Sequence, residues 1–387
     1  MALSKIDVAN MLTGATPVAN GGTAVTSGFV NGRANNQVAP IIVNGDMAVA
    51  QRSHTTVAQA DGSNELYATV DRFALKFGNN AGGTITTSRD TTAPTGFGQS
   101  IKLNVTGADT SVASTHIVDL YQPIEAQIMR NSGWNYTSSS SYLTLSFQIR
   151  SSKTGTYCVY LQTLDGTSYM YTQEYTISSA DTWEQKVLTF PGNRNLQLDN
   201  DNAVGLRIGW ILAVGSGRYG TAGSWTSGSA YGTSNNVNFL DSTDNIAYVT
   251  GVQLEVGQFT SSTLPPFQHE TFGDNYRRCL RYCYQITSDS SIDTDIISMT
   301  GTGSAAFGAF RFPVQMRSAP TVSDSGDSDF SLFGDTSGTP SSLRGDRTNS
   351  NSTGIVSDTS ISAGDVANLR LDSDSGNKYL RLDAELE

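Results

Sequence analysis

Acidic side chains are the groups in this sequence best suited to acid–base chemistry. They cluster at Asp199 and Asp201, at Asp241 and Asp244, and at Asp324, Asp327 and Asp329. Cleaving a glycosidic bond needs two carboxylates at a fixed separation, one with a raised pKa. These acids instead lie among Ser, Asn and Gly, where an Asp side chain binds nearby backbone N–H groups and shapes turns. The three histidines, His54, His116 and His269, have no G-x-S-x-G partner. No motif sets a base beside a nucleophile. The expectation is a protein that is not an enzyme.

Aromatic side chains offer a different chemistry, because the apolar CH face of a sugar ring stacks on Trp or Tyr. Trp183 opens the strand-like TWEQKVLTF and Trp210 lies on an apolar strand face, so both are expected in the core. Trp225 stands apart, in GRYGTAGSWTSGSAYG, with Tyr219 and Tyr231 on either side. That segment reads as a polar loop, the kind of element that usually carries binding. Trp225, Tyr219 and Tyr231 are therefore the candidate ligand-binding residues; packing between subunits is the other role that suits Trp225.

Asp- and Asn-rich loops could offer calcium its hard oxygen ligands, but none has EF-hand spacing. Cys279 and Cys283 are spaced i, i+4 rather than as CxxC, with only His269 nearby, which does not make a zinc site. No cofactor or metal is expected. Three cysteines in 387 residues form no disulfide framework, which points to folding in a reducing cytoplasm. Arg344-Gly345-Asp346 reads as a glycine turn between loops.

The net charge of −11 and pI near 4.7 argue against a nucleic-acid backbone as partner, since phosphates require clustered Lys and Arg. No apolar run approaches the roughly 20 residues that span a bilayer, so no membrane insertion is expected. MALSKIDVAN lacks the charged and apolar regions of a signal peptide.

What could position these residues is mostly strand. Only 15% of residues are charged, against about a quarter in ordinary globular domains, and Gly is abundant at 38. In SYLTLSFQIR, Leu143, Leu145, Phe147 and Ile149 alternate with Tyr142, Thr144, Ser146 and Gln148. In TYCVYLQTL, Cys158, Tyr160 and Gln162 oppose Tyr157, Val159 and Leu161. In AVGLRIGWILAVG, Val204, Leu206, Ile208, Trp210, Leu212 and Val214 are expected on one face. Many such strands with Gly and Asn turns predict a sandwich. Residues 1–39 read as a leader, with Leu3, Ile6, Met11 and Leu12 on a short helix followed by a Gly-rich connector. Residues 40–272 form the main β domain and 273–285 a linking helix with Asp274 as N-cap. Residues 286–387 form a smaller β domain. In its last strand Leu380, Leu382, Ala384 and Leu386 should face inward, and Arg381, Asp383 and Glu385 outward.

DVANMLTGATPVANGGT resembles the connector of phage tail fibres. IIVNGDMAVAQR, TVDRFAL, QSIKLNV and TWEQKVLTFPG resemble the carbohydrate-binding-module jelly rolls of virion proteins. VTGVQLEVGQFTSSTLPPFQHETFGDNYRRCLRYCYQ resembles the block that closes these jelly rolls, and FRFPVQMRSAPTV the small β domain that often follows. The resemblance implies an all-β virion structural protein, assembled in the host cytoplasm and extracellular after lysis. It would be a homotrimer that meets other virion proteins through residues 1–39. As a tail fibre or receptor-binding subunit it would hold a host surface glycan non-covalently. As a capsid head fibre or decoration protein its role would be purely structural. A glycan-cleaving tailspike is the third reading. Cellulose- and xylan-binding relatives often carry a structural calcium, bound after the first NG turn and by an Asp-Asp pair in the last strand. Here Asp46 follows the turn, but the last strand reads Tyr248-Val249-Thr250-Gly251-Val252, without acids.

Overall fold

The alternating segments close into two six-stranded antiparallel sheets in a computed structural model. It describes residues 39–52, 57–60, 67, 69–288, 290–373 and 378–386, with the short strands at 29–30 and 33–34. Those two, β1 (Phe29–Val30) and β2 (Arg33–Ala34), pair as a hairpin. The expected leader helix and His54 lie outside the described residues.

The first sheet contains β4 (Ala74–Gly78), β7 (Ile117–Glu125), β9 (Gly155–Thr163), β10 (Tyr169–Ile177), β12 (Val204–Val214) and β13 (Trp225–Ser227), ordered β13-β10-β9-β12-β7-β4. The second contains β3 (Val57–Ala60), β5 (Thr84–Asp90), β6 (Ser100–Gly107), β8 (Tyr142–Ser151), β11 (Glu184–Pro191) and β14 (Ile246–Val256), ordered β11-β8-β14-β6-β5-β3. This is the expected jelly-roll sandwich. A five-residue helix, α1 (Ala126–Arg130), follows β7.

Between the sheets lies one core in which Leu143, Leu145, Phe147 and Ile149 face Val159, Leu161, Ile208 and Trp210, as their alternation requires. Phe147 meets Trp210 edge-on at 5.5 Å. Strand β12 departs from the expected single face. Register shifts at Val204/Leu206 and Ile211/Ala213 keep Leu206 to Leu212 inward but turn Val214 to the opposite side, into a satellite cluster with Cys158 and Tyr160. A bulge inserts one residue and so reverses the faces beyond it.

The linking helix is shorter than expected: α2 runs Phe272–Leu280. Its N-cap is Thr271, whose Oγ1 accepts the Asp274 N–H, so Asp274 sits inside the first turn. Cys283 and Tyr284, expected on the helix, lie in β15 (Cys283–Thr287), which pairs with the far C-terminal strand β23 (Tyr379–Asp383). With β18 (Thr321–Asp324) they form a three-stranded sheet. The remaining strands form a six-stranded sheet. They are β16 (Thr294–Gly301), β17 (Ala306–Arg311), β19 (Phe330–Gly334), β20 (Arg344–Asp346), β21 (Ser352–Ser357) and β22 (Val366–Leu371). The Arg344-Gly345-Asp346 tripeptide is thus an edge strand rather than a turn.

A buried ionic joint binds the two domains. Glu385, expected to face outward, is 8% exposed. The strand ends at Asp383, so its alternation no longer sets where Glu385 points. Arg52 meets Asp383 at 2.9 Å and Glu385 at 3.2 Å, and Arg72 pairs with the second Glu385 oxygen. The Arg72 guanidinium lies 3.6 Å from the Tyr282 ring centre. Tyr282 donates to Glu125 at 2.7 Å, and Arg281 donates to both Glu125 oxygens at 2.6 and 2.7 Å. Arg317 donates to the Ala384 and Glu385 carbonyls.

This joint has a pH signature. Burial opposes ionisation of Glu125, but hydrogen bonds from Arg281, Tyr282 and Gln127 prevail and hold its carboxyl below the usual Glu range. The folded chain therefore binds fewer protons there than the unfolded one. Its stabilisation is complete above about pH 4.3, the unfolded Glu value, and is lost as pH falls through the folded pKa. Glu125→Gln should flatten the acid limb of the stability curve, read by thermal unfolding from neutral pH downward. A variant that loses stability as steeply as the parent would contradict this assignment.

Candidate functional site

The three aromatic residues singled out by the sequence lie near the first sheet, in unequal settings. Trp225 begins edge strand β13, opposite Tyr171 of β10, rather than lying in a loop. Its Nε1 donates to the Pro191 carbonyl at 2.7 Å, its ring meets Tyr171 edge-on at 5.3 Å, and it packs on the main core. Tyr231 meets Tyr160 edge-on at 5.1 Å, and burial pushes its hydroxyl pKa up. Tyr219 is 40% exposed.

Tyr231 covers part of the outer face of the first sheet, which is a buried layer of aromatic and polar groups. Tyr160 donates to Asp119 at 2.5 Å, and the Arg207 guanidinium lies 4.4 Å from the Tyr121 ring centre. Burial, then the Asp119 charge, pushes the Tyr160 hydroxyl well above the ordinary tyrosine range. Gly209 lies under the Tyr160 ring, where a Cβ would come within 2.3 Å of it. Asp119, Tyr121 and Tyr160 are at most 1% exposed, so this layer is packed interior.

The outer face of the second sheet is more open. Tyr248 of β14 stands opposite Arg150 of β8 on one side and Lys102 of β6 on the other. Trp183 precedes Glu184, which pairs with Ile149, so its backbone lies level with Arg150. The four side chains make one row across the sheet. The Trp183 and Tyr248 rings are 6.3 Å apart, and the Arg150 and Lys102 cations lie 5.4 and 5.8 Å from the Tyr248 ring centre. Tyr248 is the floor of the row, while Trp183, Arg150 and Lys102 remain partly exposed. Trp183, expected in the core, is thus half-buried on the surface, because the strand that buries Phe190 starts one residue after it. The face is otherwise rich in Thr, Ser, Asn and Gln, including Gln148, Asn104, Thr86 and Thr106.

The acids on the flanks of the row are engaged. Asp181 accepts from Arg150 at 3.2 Å and Asp90 from the Thr92 N–H at 2.7 Å. Burial opposes the ionisation of Asp90, but its bonds from Thr92 lower the pKa. Elsewhere two loop acids shape their own turns, Asp201 accepting from the Ala203 N–H and Asp324 from the Gly326 N–H, while Asp327 reaches the backbone N–H groups of Ser342 and Leu343 and Asp241 pairs with Lys153. Asp46 accepts from Asn275 at 2.9 Å. The stretch Tyr248 to Val252 of β14 brings no acid to it, and the acid of that strand, Glu255, accepts from Gln253 and Gln268. Cys158, Cys279 and Cys283 are buried and unpaired with one another. No described helix is long and apolar enough to cross a membrane.

Sequence reasoning missed the row. Its signal was present: Arg150 and Lys102 occupy the outward positions of strands whose alternation was legible, but Tyr248 and Trp183 reach them only through pairing across the sheet.

No family model matches the chain, and no curated protein matches it. Among solved structures, a putative sugar-binding protein from Bacteroides thetaiotaomicron is 13% identical, covers 57% of this chain and 100% of its own, and gives a TM-score of 0.31. The family 11 carbohydrate-binding module of Clostridium thermocellum, in complex with a mixed-linked tetrasaccharide, is 13% identical over 51% of this chain and 97% of its own, with a TM-score of 0.27. The enzymatically active domain of tailspike protein 4 of bacteriophage CBA120 is 14% identical over 56% of this chain, with a TM-score of 0.27; the match spans 21% of that domain. Likeness at these scores carries no function over to this chain.

Proposed function

We propose that the chain is a non-catalytic attachment subunit of a virion, a tail fibre or receptor-binding protein that holds a host surface glycan. The observation that carries this reading is the row of Trp183, Tyr248, Arg150 and Lys102 on the more open face of the sandwich. A half-exposed indole offers a platform for a sugar CH face. The neighbouring guanidinium, ammonium and amide groups supply donors that fix its orientation. One such site is weak, so useful adhesion calls for several copies, which a homotrimer anchored through residues 1–39 would supply.

Native gels cast with soluble polysaccharides, from β-glucan and xylan to bacterial capsular and O-antigen polymers, test the reading. At least one polymer should retard the protein, and Trp183→Ala should remove most of that retardation while leaving the melting temperature nearly unchanged. A protein retarded by none of them has a structural role, as in a head fibre or decoration protein. Release of reducing sugar would end the non-catalytic reading.

A further inference from the structure

We infer that the same face carries a second aromatic platform, and that the ligand is an extended oligosaccharide gripped at two points. The inference rests on the glycan reading and deepens it. The second platform is the trio Phe97, Phe267 and His269. Phe97 meets Phe267 edge-on at 5.0 Å and His269 at 5.2 Å, and Phe267 meets His269 at 4.8 Å. Phe97 and Phe267 are half-buried and His269 is exposed.

The trio is placed on this face by a break in β14. The pairing with β8 shifts between Thr250 and Gln253, and Gly251 takes a φ of +61° there. A Cβ on Gly251 would stand 2.7 Å from the Phe97 ring and 3.3 Å from Gln148, so only glycine lets Phe97 settle onto the strand at that point. Gln148 is the outward residue of β8 next to Arg150 and stands opposite Thr250, the outward residue of β14 next to Tyr248. The Phe97 ring therefore lies beside the position one outward step from the Trp183–Tyr248 row. Two residues along a strand span about 7 Å. The trio is thus offset from the row by one outward step along the strands, and from Trp183 also across β8, with the half-exposed Gln148 beside it; two such platforms suit a short linear saccharide better than a single ring. Bulges that re-aim side chains are over-represented beside functional sites. The backbone N–H of His269 donates to the Phe267 carbonyl at 3.1 Å, which holds the two rings on one tight segment. Since the His269 side chain is exposed, His269→Ala removes platform area without opening the core.

The test uses the full chain and the polysaccharide that retards it most. Oligosaccharides cut from that polymer, from disaccharide to octasaccharide, are titrated calorimetrically. Affinity should rise until the chain reaches both platforms and then level off. His269→Ala should weaken the long oligosaccharides about 3- to 10-fold, the loss of one stacked ring, and leave the disaccharide unchanged. Phe267→Ala should do the same, with its melting temperature reported alongside. If affinity is flat beyond the disaccharide, or if His269→Ala lowers the melting temperature without touching affinity, the second platform is only packing and this inference fails while the glycan reading stands. If no polysaccharide binds the parent protein, both fail.

Discussion

Glu385→Ala should lower the unfolding free energy by about 3–5 kcal/mol, the usual penalty for removing one partner of a buried ion pair. The Glu385 side chain is 4% exposed, and the side chains of Arg52 and Arg72 are 3% and 1% exposed. Burial raises the Glu385 pKa, and the charges of Arg72 and Arg52 oppose that rise. Alanine would leave two guanidinium groups in the interior without that carboxylate. The exposed pair Arg344–Asp358, at 2.6 Å, is a built-in control: its side chains are 52% and 49% exposed. Arg344→Ala should change stability by less than about 1 kcal/mol, since solvent screens such pairs. Denaturant titration of both variants reads the difference. Equal effects would mean that the joint does not hold the two domains together.

Trp225→Ala should destabilise the protein by about 2–4 kcal/mol, toward the lower part of the range for removing a large buried aromatic, because this indole is only half-buried. It loses the edge contact with Tyr171 and the bond to Pro191, and frees the carbonyl that Nε1 had satisfied. Trp183→Ala loses only a tilted contact with Tyr248 on the surface, so its stability should fall by less than about 1 kcal/mol. Thermal unfolding of the two variants separates a packing tryptophan from a presented one. The reverse order would return Trp225, Tyr219 and Tyr231 to first place as the contact site.

The contrast between these tryptophans marks where sequence reading runs out. The period-2 pattern of β8 was legible because each inward residue meets the same core. The Gly- and Ser-rich flanks of Trp225 say nothing about pairing, and it is β10, more than fifty residues earlier, that draws Trp225 into a sheet. Trp183 looked like the first residue of a buried strand, but its level against Arg150 depends on the β11–β8 register. The bulges in β12 and β14 depend on partner strands in the same way. The pattern of the last strand was read correctly through Leu382, and Ala384 and Leu386 are buried as expected. Glu385 was misplaced because its partners, Arg52 and Arg72, lie more than three hundred residues away. Asp201 and Asp324 were the easiest to read, because an Asp that caps its own turn needs nothing from elsewhere in the chain; Asp327 and Asp241 find partners in distant segments.

The most direct test of the attachment reading is hydroxyl-radical footprinting of the protein with and without the polysaccharide that retards it. Trp183 should lose reactivity on saturation, with His269 following if the second platform is used, while Trp225, Tyr219 and Tyr231 keep theirs. Unchanged Trp183 reactivity under saturating polysaccharide, or protection confined to Trp225, Tyr219 and Tyr231, would contradict the claim that the open face of the second sheet holds the glycan.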